Sequence, residues 1–93
     1  MKRWYITIAA AENYARIVKR SITVEQATAE LEERAPEATR RAELGDLELY
    51  RSPRKHSKMR WLVSHARRPE GTLPQVIWVG NGAPPRKWWP ADE

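Results

Sequence analysis

Residues 3–8 alternate, with Trp4, Ile6 and Ile8 on one side, and this predicts a strand with one buried face. From Ala9 to Arg20 the period lengthens. Ala10, Tyr14, Ile17 and Val18 fall at i, i+4, i+7 and i+8, one face of a helix. Ser21-Ile22 interrupts it. Thr23, with Gln26 three residues on, forms a capping box that opens a second helix. Its buried stripe is Val24, Ala27, Leu31 and Ala35, with Glu25, Glu30, Glu32 and Glu33 on the solvent side. Pro36 ends or kinks that helix, and Glu37 to Glu43 reads as a further turn or two before Gly45.

Past Gly45 the period returns to two. Leu47 and Leu49 alternate with Glu48 and Tyr50, and Met59, Trp61 and Val63 mark one side of a strand running to His65. A polar turn from Ser52 to Lys58 separates them. Val76 to Val79 is a continuous apolar run, as expected of an interior strand covered on both faces. Pro84, Pro85 and Pro90 predict an extended tail. The expected architecture is a single α+β domain over residues 1–83 in β-α-α-β-β-β order, followed by a Pro/Trp-containing tail over 84–93. Both helices pack on one face of an antiparallel sheet. The N-terminal strand joins the edge of a C-terminal meander or inserts beside its last strand.

Composition narrows the chemistry. The chain has 93 residues, no cysteine, two His and five Trp. Thiolate sites, disulfides and Cys nucleophiles are excluded, and no metal centre or cofactor is expected. No apolar run reaches the length of a membrane span, and the N-terminus leads into a strand, so the expectation is a cytoplasmic protein without a membrane partner. The net charge of +5 is unevenly spread. Residues 25–48 hold eight acids against three bases, whereas residues 49–68 hold seven bases and no acid. Such a segment attracts polyanions; the alternative is a solvated hairpin whose arginines keep a small protein soluble, and the mutual repulsion of seven positive charges with no intervening acid favours the first.

No hydrolase triad or phosphate loop is present: Gly80-Asn81-Gly82 precedes prolines, and Asp46 and Asp92 are the only aspartates. What remains is chemistry that basic and aromatic side chains perform without a metal. RNA cleavage needs a base for the 2′-hydroxyl, a cation for the pentavalent phosphate and an acid for the leaving oxygen. Arg60, His56 and His65 are the catalytic candidates. Arg51, Arg54, Lys55, Lys58, Arg67, Arg68, Arg86 and Lys87 are candidates for backbone contacts, with Tyr50 and Trp88 as stacking rings. Trp61 and Trp78 read as core, and Trp88-Trp89 fit equally a tail folded back over a thin core.

Several landmarks occur together: Pro36, Leu44-Gly45, Leu47-Glu48-Leu49-Tyr50-Arg51, Met59-Arg60-Trp61-Leu62-Val63 and Val76-Ile77-Trp78-Val79-Gly80. Their order and spacing, over nearly the whole chain, resemble the RelE/ParE superfamily of small basic ribosome-dependent RNase toxins. Met59 and Val63 replace aromatic positions of that pattern, and Asn81 stands where Lys or Arg is common. The resemblance implies that Arg51 and Arg60 face RNA, with Arg60 holding the scissile phosphate. It places Arg86, Lys87 and Trp88 near the family's C-terminal basic and aromatic positions, and it implies an antitoxin partner.

Three functions fit. The first is a toxin-type endoribonuclease acting on RNA rather than DNA. The second is a non-enzymatic inhibitor or adaptor from a phage or other mobile element, docking on a nucleic-acid-processing complex through Glu25, Glu30, Glu32, Glu33 and Glu37 or through the basic hairpin. The third is a binder of RNA or DNA with no chemistry.

Overall fold

Thr7 decides how the chain starts. In the computed structural model, which describes residues 4–17, 21–52, 58–66 and 73–90, strand β1 (Tyr5–Ile6) is short because Thr7 turns the backbone into helix α1 (Ile8–Ile17). The Thr7 hydroxyl donates to the Val76 carbonyl at 2.7 Å and accepts from the Ala10 amide at 3.2 Å. One side chain thus caps the helix and ties it to the sheet. Ile8, expected beside Trp4 and Ile6, is instead the first helical residue and is exposed.

Helix α1 buries Ala10, Ala11 and Tyr14, with Ile17 at the margin. Val18 lies outside the described residues. Helix α2 (Val24–Arg34) opens with the expected capping box: Gln26 N–H donates to Thr23 Oγ1 at 3.0 Å, and Thr23 N–H donates to Gln26 Oε1 at 2.8 Å. Ala27, Leu31 and Ala35 are buried beneath it.

Pro36 falls in a single 3-10 turn, after which the chain becomes extended. The expected further helical turns over Glu37 to Glu43 give way to strand β2 (Thr39–Leu44). This strand is paired through the two-residue Gly45-Asp46 turn to β3 (Leu47–Arg51). Gly45 has φ 59°, the left-handed conformation that primed hairpin turns require. Strands β4 (Met59–Ser64) and β5 (Gln75–Asn81) complete a five-stranded sheet of order β1-β5-β4-β3-β2. The last four strands form an antiparallel meander. β1 lies beside β5 and pairs with it in parallel, so the sheet is mixed rather than wholly antiparallel.

The α+β architecture therefore stands, with one strand more than the sequence pattern suggests. Both helices lie on one face, over β5 and β1. Between them and the sheet sit Trp4, Ile6, Tyr14, Leu31, Trp61, Val63, Val76 and Val79. The other face carries a smaller cluster of Leu49, Leu62 and Trp89. The tail reaches it by a turn, not as an extended segment: the Pro85 carbonyl accepts from the Trp88 and Trp89 amides at 3.0 and 2.9 Å. β5 is accordingly covered on both sides, as its unbroken apolar run requires. No helix among the described residues is long and apolar enough to cross a membrane.

Candidate functional site

Leu49 packs in the cluster beneath the tail and Tyr50 in the core beneath the helices, so alternation sends Arg51 to the tail side. On β4, Trp61 faces the helices while Leu62 faces the tail, which puts Arg60 on the tail side too. The ladder sets Arg51 directly opposite Arg60, and Arg60 opposite Gly80. Two cation-bearing residues thus stand opposite each other on the helix-free face, with Arg60 Nη1 donating to the Met59 carbonyl at 3.4 Å. Such pairs of like charge oppose folding.

Trp78 closes the same row. The β4–β5 register shifts between Leu62, opposite Trp78, and Val63, opposite Val76, leaving Ile77 as the extra residue of a bulge. The bulge turns both Ile77 and Trp78 toward the tail cluster. A Cβ on Gly80 would lie 2.3 Å from Trp78 Cζ2, so the indole occupies the space that only glycine leaves open. Trp78, expected in the core, is half-buried beside the Arg51–Arg60 row.

The other candidates at this end of the sheet come from the tail and the start of β4. The Lys58 carbonyl accepts from the Gly82 amide at 2.8 Å, bringing the tail's departure point to the entry of β4. Lys58, Arg86 and Lys87 are exposed. Lys87 Nζ lies 5.1 Å from the centre of the half-buried Trp88 ring, a cation–π contact. Among the expected basic contacts, Arg51 and Arg60 stand opposite each other, Lys58 lies at the entry of β4, and Arg86 and Lys87 lie on the tail. Arg54, Lys55, His56, Arg67 and Arg68 lie outside the described residues.

Two candidates belong elsewhere. Tyr50 was expected as a stacking ring, but its ring packs edge-on against Trp4 with centroids 4.6 Å apart, in the core beneath the helices. Its hydroxyl donates to Glu48 Oε1 at 3.2 Å, and burial together with the Glu48 charge raises its pKa. The sequence groups His65 with Arg60 and His56 as catalytic candidates. His65 lies five residues beyond Arg60, an odd separation that puts it on the helix side, roughly 17 Å along the strand direction. There its Nε2 is hydrogen-bonded to Glu48 Oε1. Arg60 and His65 cannot serve one phosphate.

Glu48 is the hub of that second group. Arg40 Nη1 approaches Glu48 Oε2 at 3.0 Å and Glu43 Oε2 at 3.6 Å. Burial pushes the Glu48 carboxyl up, but the bonds from Arg40, His65 and Tyr50 outweigh it and hold the group below the ordinary carboxylate range. Neither Arg40 nor Glu48 stood out in the sequence, because their meeting depends on β2.

On α2 and the turn after it, Glu25, Glu32, Glu33 and Glu37 are exposed, as a solvent face requires. Glu30 departs from that pattern: it is half-buried and accepts from the Tyr14 hydroxyl at 2.8 Å. Among the described residues, no group of three or more His, Asp or Glu is placed to hold a metal ion. The chain matches no family model, no curated protein and no solved structure.

Proposed function

We propose that this chain acts on RNA, holding the sugar-phosphate backbone on the basic end of its helix-free sheet face. The observation that supports this reading is the Arg51–Arg60 pair. Two guanidinium-bearing residues stand opposite each other on one face, and a phosphodiester lying between them would accept a charge-assisted contact from each. Lys58 at the entry of β4, with Arg86 and Lys87 on the tail, adds exposed positive charge, and Trp78 and Trp88 supply aromatic surface packed against the tail-side cluster.

On that surface we assign cleavage to Arg60, in keeping with the resemblance to RelE/ParE-type toxins. The 2′-oxygen attacks phosphorus, its proton passes to a base, and the 5′-oxygen leaves as a hydroxyl after gaining a proton. This yields a cyclic phosphate without a metal. Arg60 stabilises the charge on the pentavalent phosphate. With His65 engaged by Glu48 on the other face, His56 in the β3–β4 connection is the remaining histidine for proton transfer.

Inducible expression in a bacterial host, following growth and mRNA integrity, tests the cleavage step. Fragmented mRNA and growth arrest, both relieved by Arg60→Ala, are the expected result. Intact mRNA would leave a binder without chemistry. Reversing the charges of Glu25, Glu32, Glu33 and Glu37 separates the inhibitor reading, since an RNase keeps cutting when that face changes.

A further inference from the structure

Strand β2 ends the sheet. It has β3 on one side and, among the described residues, no strand on the other. Its exposed edge is unusual in where its charges fall. Leu44 and Leu47 flank a two-residue hairpin turn and exchange their backbone bonds with each other, so the next residue out, Glu43, turns its amide and carbonyl away from β3. In a regular strand Arg40 would have the opposite parity to Glu43. The register shift between Arg40 and Ala42 makes Arg41 an extra residue and restores the match. Arg40 and Glu43 then present both backbone groups outward and both side chains on one face, as the 3.6 Å approach of Arg40 Nη1 to Glu43 Oε2 confirms.

We propose that the β2 edge pairs antiparallel with the β2 edge of a second copy of this chain, joining two five-stranded sheets across a two-fold axis. Charge fixes the register. With the axis between Arg41 and Ala42, Arg40 of each copy meets Glu43 of the other, Arg41 meets Ala42, and Thr39 meets Leu44. Centring the pair on Arg40 or on Glu43 sets like charge against like. Bulges and charged residues guard sheet edges against indiscriminate pairing. At this edge the same devices reject the wrong registers and admit one self-complementary arrangement, the form an isologous interface needs. The inference rests on the fold alone and is independent of the proposed action on RNA.

Sedimentation equilibrium over a wide concentration range tests it. The wild-type chain should reach twice its 10.9 kDa. Glu43→Arg and Arg40→Glu should each remain at the mass of one chain, and an equimolar mixture of the two should recover the dimer. Because Arg40→Glu sets a carboxylate beside Glu48, wild-type amide exchange provides a readout free of substitutions: the Glu43 amide should become protected as concentration rises. A wild-type chain that stays at single mass with concentration-independent exchange overturns the proposal. So does a dimer that both variants retain, or a mixture of two folded variants that fails to associate.

Discussion

Arg51 and Arg60 stand directly opposite each other on β3 and β4, on the sheet face that the helices leave uncovered. The fold sets them there through simple alternation, since Leu49 and Leu62 must lie under the tail while Tyr50 and Trp61 pack toward the helices. The pairing opposes folding and favours anions, so one substitution should move stability and binding in opposite directions. Arg51→Ala should raise folding stability by about 0.2–1 kcal/mol in urea denaturation. The same variant should weaken RNA binding at low salt.

Gly80 should tolerate no side chain. In Gly80→Ala the new methyl meets the Trp78 indole at 2.3 Å, so the ring must leave its place beside Arg60. Overpacking of this kind costs about 1–3 kcal/mol. The displaced ring should shift the Trp78 indole N–H resonance, with the Trp61 resonance unmoved.

How much of this was legible in the sequence varies by element, and each difference has a physical cause. Thr23 and Gln26 announced α2 because a capping box is a local device, complete within four residues. Trp4, Ile6, Trp61 and Val63 declared the helix-side core through period two. β2 left no such trace. Nearly all its positions are exposed on both faces, so nothing in Thr39–Leu44 alternates, and Arg40 and Glu48 could not be joined. The Ile77 bulge breaks parity within an all-apolar run, where periodicity is silent, and Trp78 therefore read as core. Arg51 and Arg60 were visible as cations, whereas their placement opposite each other depends on the β3–β4 register.

Glu48 should carry part of the protein's acid sensitivity. Its carboxyl has a folded-state pKa below the unfolded value, so the stability it confers is present above the ordinary carboxylate pKa. That stability is lost as pH falls through the lowered folded value. Glu48→Gln should therefore flatten the acid limb of the stability–pH curve, measured by urea denaturation between pH 6 and pH 3 at about unit intervals. Equal slopes in the two proteins would remove Glu48 from that role.

Two of the buried tryptophans, Trp61 and Trp89, should respond unequally to loss of their N–H. Trp61 Nε1 donates to Ser52 Oγ at 3.0 Å, whereas Trp89 Nε1 is buried and has no hydrogen-bond partner among the described residues. Trp61→Phe strands a buried hydroxyl, at a cost of about 1–3 kcal/mol beyond the lost ring area. Trp89→Phe removes an unsatisfied donor, which offsets the area it loses. Thermal melting of the two variants should place Trp89→Phe well above Trp61→Phe.

The most direct test of the central claim is the salt dependence of single-stranded RNA binding. It should compare the wild-type chain, the Arg51→Ala/Arg60→Ala double variant, and Arg16→Ala, which removes a charge from an exposed position of helix α1. The account predicts that the double variant binds more weakly and that its log–log salt slope falls by about 0.7 for each lost phosphate contact. Arg16→Ala should leave that slope unchanged. A double variant that binds RNA as the wild type does, with the same slope, would contradict the assignment of this face.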